Sequence, residues 1–176
     1  MPRKTQNPEP VAKPESEPGT LFEQVGIWLE ANDWSYSENP EKGYYSLQMQ
    51  CGPGSVRVII DTDEKEGTNF LLIYVIYPER VPEARRPHVM ELLTRANYRM
   101  TLGNFEMDSG DGEIRFRISL DLVGQGFTDD SIERAFAYGL RMGGRLYAPM
   151  LGVAFGEIPA SAALEKMTPP AEVVLQ

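Results

Sequence analysis

Gly103-Asn104-Phe105-Glu106-Met107-Asp108-Ser109-Gly110-Asp111-Gly112-Glu113-Ile114-Arg115-Phe116-Arg117-Ile118-Ser119-Leu120 is the stretch on which the fold class turns. Leu102, Phe105 and Met107 lead into the polar segment Asp108 to Gly112. Beyond it Ile114, Phe116, Ile118, Leu120 and Leu122 alternate with Arg115, Arg117, Ser119 and Asp121. A period of two puts one apolar face on a core and one polar face toward water. Asp-Gly between two such runs is a strong hairpin signal.

Upstream of the hairpin, Val89, Met90, Leu92, Leu93 and Ala96 recur at helical spacing. They predict a helix over about 83–96, beginning near Arg86 because Pro87 is tolerated only in the first turn. Before it lies a strand block. Tyr45, Leu47, Met49 and Cys51 alternate with Tyr44, Ser46, Gln48 and Gln50. Gly52-Pro53-Gly54 turns the chain, and Val56, Val58 and Ile60 alternate in their turn. Phe70 to Tyr77 is apolar on both faces, as expected of a central strand or one covered on both sides. Pro78 and Pro82 end this meander, and Trp34–Glu38 reads as a short additional strand. Thr20 with Glu23 forms a capping box ahead of Leu21, Phe22, Val25, Trp28 and Leu29, predicting a first helix to about Asn32.

Downstream, Thr128 caps a last helix whose stripe is Ile132, Ala135, Phe136, Leu140, Leu146, Met150 and Val153. Pro149 is expected to kink or divide it. The order α-β-β-β(-β)-α-β-β-α has runs of strands in place of strict alternation with helices. That order predicts an α+β fold, an antiparallel sheet with three main helices. Residues 1–19, with five prolines and almost nothing apolar, read as a disordered tail. Residues 20–156 form the domain, and 157–176 read as a flexible C-terminal tail.

The 176 residues carry 26 acidic and 17 basic side chains, a net charge of −9. This excess argues against nucleic acid as a partner, since phosphate binding needs clustered Lys and Arg. It fits a protein partner with basic segments. No run approaches the length of a membrane span, and no apolar leader follows Met1. With one cysteine there is no intrachain disulfide, and the expected compartment is the cytoplasm.

The hairpin Gly103–Arg117, Leu120, the helix start Thr128-Asp129-Asp130 and the long helix to Gly156 resemble the YbjN-like bacterial domains, over roughly residues 20–156. The resemblance implies a fold similar to type III secretion chaperones and a role as a sensory-transduction regulator. It supplies no catalytic residues. It implies a binding or regulatory module able to dimerise.

The chemistry available to the chain is restricted. A single histidine, His88, excludes a multi-histidine metal site or a His-based triad. Asp108-x-x-Asp111-x-Glu113 has a calcium-like look, but Gly110 stands where a third ligand belongs, so a turn is expected. Cys51 falls on the apolar face of its strand, where a thiol is inert. Neither Gly52-Pro53-Gly54 nor Gly124-Gln125-Gly126 completes a phosphate-binding motif. No cofactor and no metal are therefore expected.

Two surfaces remain. Arg115 and Arg117 share one face of their strand, and with Arg57 and Gln48 would form either a solvated face or a site for anions or peptide carboxylates. Gly139 and Gly143 permit close approach of another backbone, either the chain's own sheet or a second copy in a homodimer. The function expected is a non-enzymatic regulatory or chaperone-like module binding another protein, with a small-anion sensor as the alternative. Paired carboxylates such as Glu106 and Glu113 would be the route to an enzyme.

Overall fold

Thr20 starts the first helix through a reciprocal capping box: its hydroxyl accepts from the Glu23 N–H, and Glu23 accepts from the Thr20 N–H at 2.9 Å. Glu64, from a distant strand, accepts at 2.8 Å from the Leu21 N–H, a further donor of that first turn. The computed structural model describes residues 19–98 and 100–165. The expected N-terminal tail, apart from Gly19, lies outside the described residues. The elements are α1 (Leu21–Ala31), β1 (Ser37–Asn39), β2 (Tyr44–Cys51), β3 (Gly54–Lys65), β4 (Thr68–Arg80), a 3-10 turn (Glu83–Arg85), α2 (Arg86–Asn97), β5 (Asn104–Met107), β6 (Glu113–Asp121), α3 (Asp129–Phe155) and α4 (Ala160–Glu165).

The strands form one antiparallel sheet in the order β1-β2-β3-β4-β6-β5. The fold is α+β. Val56, Val58, Ile60, Leu71, Ile73, Val75, Phe116 and Ile118 face one side and are fully buried in a single core with α1, α2 and α3. The strand Phe70–Tyr77 is central in the sheet, as its sequence predicts. Pro78 does not end it: β4 continues to Arg80 past a register irregularity against β6, a position where a residue without an N–H is tolerated. The short strand near Trp34 forms later than the sequence suggests, at Ser37–Asn39.

The hairpin turn is closed by its own acids. Asp108 accepts from the Gly110 N–H at 2.7 Å and Asp111 from the Glu113 N–H at 2.8 Å. These Asx bonds, with the Asp108–Glu113 backbone pair, account for the calcium-like spacing.

Pro149 does not divide α3. It sits inside an unbroken 27-residue helix. Leu146, Tyr147, Met150 and Val153, on either side of the proline, are all buried in the same core. That burial outweighs the roughly 3 kcal/mol a proline costs in a helix interior. The segment after Glu157 also differs: residues 160–165 form α4, with Ala160 and Ala163 buried against α2 and α3. Small side chains, read as a fraying tail, serve here as close-packing surfaces. Residues 166–176 lie outside the described residues.

The helix glycines explain how α3 lies so near the sheet. A Cβ on Gly143 would stand 2.9 Å from Val75 Cγ1 and 3.4 Å from Cys51 Sγ. A Cβ on Gly52, in the β2–β3 turn at φ +60°, would stand 2.8 Å from the Gly144 carbonyl oxygen. Tyr77 donates to the Gly143 carbonyl at 2.7 Å and locks the contact. Gly139 faces Ile118, Val75 and Ile73. The face these glycines would offer a second copy is thus occupied by their own sheet.

Candidate binding face of the sheet

Among the described residues no helix covers the second face of the sheet. Antiparallel partners share a face, so the register assembles two adjacent rows across it. One runs Gln48, Arg57, Ile76, Arg115, Glu106; the next runs Ser46, Ile59, Tyr74, Arg117, Asn104. The structure therefore brings Gln48, Arg57, Arg115 and Arg117 to one surface.

It also places between them residues that sequence reading did not single out. Ile59, Leu72 and Tyr74 are half-buried in the middle of the open face, and Ile76 is only 8% exposed there although it lies outside the main core. The signal was present in the run Phe70–Tyr77, apolar at every position. Periodicity could not say that one of its faces has no covering layer among the described residues.

The cations are not equivalent. Glu106 sits between Arg115 and Arg117, 2.9 Å from each, and also accepts from Asn104 at 3.1 Å. The Arg115 guanidinium lies over the Tyr74 ring, 4.7 Å from its centroid. Burial by itself would raise the Glu106 pKa, but the Asn104 and Arg115 hydrogen bonds and the two guanidinium charges prevail and hold it below its ordinary value. Arg57 is exposed and makes no ion pair among the described residues. It borders a hollow of about 310 Å³ with Gln48, Ile76 and Arg80.

This geometry tells against carboxylate catalysis at the hairpin. Glu106 is held ionised by two arginines, and Glu113 pairs with Arg80 at 2.7 Å. General-acid work needs a carboxyl whose pKa is raised, the opposite of what surrounds Glu106. Cys51 is buried and donates to the Leu140 carbonyl; burial pushes its thiol up to about 11. Among the described residues no three His, Cys, Asp or Glu side chains converge on a metal-sized site. No described helix is long and apolar enough to cross a membrane.

The family model for YbjN, described as "Putative bacterial sensory transduction regulator", matches residues 22–151. The chain belongs to the YbjN family. The match runs from α1 to the last turns of α3 and contains the whole sheet. This YbjN-family domain is also similar to the crystal structure of YbjN from E. coli, itself described as "a putative transcription regulator". The TM-score is 0.54 and the identity 16%, over 81% of this chain and 96% of that one. At that identity the likeness concerns the fold alone. No curated protein sequence matches the chain. The family is described as regulatory and not as a family of enzymes.

Proposed function

We propose that this YbjN-family domain regulates by binding another polypeptide on the open face of its sheet, without catalysis. The observation that carries the reading is the asymmetry of the sheet. One face is sealed by helices, while the other holds Ile59, Leu72, Tyr74 and Ile76 among polar and charged neighbours. An apolar centre with a polar surround is the anatomy of a protein–protein contact. The Glu106 clamp fixes the guanidiniums of Arg115 and Arg117 beside that apolar centre, which favours register and specificity over raw affinity. A chaperone-like role in the cytoplasm is the form of this activity that fits a surface able to shield an apolar segment.

Photo-crosslinking from two exposed open-face positions, Gln48 and Ser119, compared with Met90 on α2, tests the proposal in the native cell. Partner adducts should form from Gln48 and Ser119 and fall at least about tenfold when Leu72→Asp and Tyr74→Ala remove the apolar centre. Adducts from Met90 alone, or a partner set untouched by the double change, would count decisively against it.

The alternative, a sensor of small anions, is favoured by one feature only, the unpaired Arg57 at its hollow. A thermal-shift panel of nucleotides and carboxylates on wild type and Arg57→Ala decides this. No ligand whose shift depends on Arg57 would dismiss it.

A further inference from the structure

A second surface, in the helical layer, has a charge opposite to that of the molecule. Between the N-terminal half of α3 and the edge of the sheet at β5–β6 lies a groove of about 610 Å³. Leu102 and Leu120 form its floor, and both are only partly buried against the core. Arg134, Ala137, Tyr138 and Arg141 of α3 form its wall. The Arg141 guanidinium lies 5.4 Å from the centroid of the Tyr138 ring, so the cation is held against the groove's aromatic wall.

Among the described residues no Asp or Glu lines this groove, in a chain with nine more acidic than basic residues. Neither Arg134 nor Arg141 makes an ion pair among the described residues. The hollow beside α1 differs, with the four carboxylates of Glu41, Asp61, Asp63 and Glu64 against the two cations Lys42 and Lys65. An apolar floor with two unneutralised guanidiniums on one wall is complementary to a ligand that is apolar and acidic at once.

The spacing narrows the ligand further. Arg134 and Arg141 are seven residues apart on one helix, two turns or about 10 Å along its axis. A single carboxylate can engage only one of them. Two carboxylates seven residues apart on a second helix match both, with leucine-like side chains between them on the floor. Guanidinium forks suit such carboxylates because they bind them bidentately.

We infer that the α3 groove docks an acidic amphipathic helix of a partner polypeptide, with carboxylates two turns apart engaging Arg134 and Arg141. This site is on the opposite layer from the open sheet face and does not depend on the function proposed for that face.

Fluorescence anisotropy with a panel of labelled amphipathic peptides of about 14 residues tests this directly. Each carries Glu at two positions seven apart and Leu between them, and a matched set carries Lys for Glu. The Glu peptides should bind the full chain, the Lys peptides should not, and affinity should fall as salt rises. Arg134→Glu with Arg141→Glu should weaken binding at least about tenfold and switch preference toward the Lys set. Arg134→Ala with Arg141→Ala should weaken the Glu peptides and remove the preference for Glu over Lys without reversing it. All four changes are at exposed helix positions, and circular dichroism melting confirms that each variant is folded. Equal binding of Glu and Lys peptides, binding unaffected by either double change, or no binding by any peptide would overturn the proposal. So would dodecanoate binding in place of the peptides, since that would make the groove a site for a single amphiphilic anion.

Discussion

Glu106 shows how much a single side chain can redefine a surface. Read alone, Arg115 and Arg117 are two cations awaiting an anion; in the fold the anion is already there, one strand away. Because the folded-state pKa of Glu106 lies below its ordinary value of 4.5, its contribution to stability is present above that pH. The contribution is lost as pH falls through the folded value, where the carboxylate takes up a proton. Glu106→Gln should therefore cost about 1 kcal/mol at neutral pH and progressively less in acid. Urea titrations of both proteins from neutral pH downward measure this, and a gap that widens in acid would contradict the clamp. Cys51 gives the second residue-scale prediction. Its thiol, raised by burial, should resist iodoacetamide in the native protein at about pH 8 and react once urea unfolds the chain. Rapid native labelling, followed by mass spectrometry, would show the site to be open.

Elements reveal the difference between a glycine that is tolerated and one that is required. Gly139 and Gly143 are both buried in α3, four residues apart. A Cβ at 139 would meet its nearest neighbours at 3.5 Å, ordinary van der Waals contact, whereas one at 143 would press within 2.9 Å of a β-branched core side chain. Gly139→Ala should gain up to about 1 kcal/mol from helix propensity. Gly143→Ala should lose about 1–3 kcal/mol from overpacking between α3 and β4. Thermal melts of the two variants should shift in opposite directions; equal shifts would mean that α3 is free to move away from the sheet. The spacing of these glycines was legible in the sequence. Which one lies too close to the sheet to accept a side chain was not, because that depends on how α3 is rotated over β4.

On the scale of the whole molecule the sheet has to end somewhere, and both of its ends are protected. β1 has only three residues. At the other edge, the Asn97 amide donates to the Phe105 carbonyl at 2.9 Å and accepts from the Phe105 N–H at 2.8 Å. One side chain at the end of α2 thus stands in for a missing neighbour strand and covers an edge that would otherwise template self-association. Asn97→Ala should cost about 1–3 kcal/mol by leaving that peptide unpaired. It should also make sedimentation concentration-dependent, whereas an unchanged sedimentation profile would assign the edge no protective role.

Local patterning was sufficient for most of the architecture. The capping box at Thr20, the alternation in β2, β3 and β6, the Asx-closed hairpin and the stripe of α3 all follow from forces acting over a few residues. The sequence also narrowed the chemistry, with one histidine and one cysteine, and pointed to the four polar residues that share the open face. Tertiary structure alone decided the rest. It decided that Pro149 does not divide α3, because burial on both sides of it outweighs a local penalty. It turned small residues after Glu157 into α4, because their value lies in what they pack against. It left one face of an apolar strand uncovered by any described element and gave Arg115 and Arg117 their carboxylate. Each of these depends on which distant residues become neighbours, and periodicity along a chain contains no term for that.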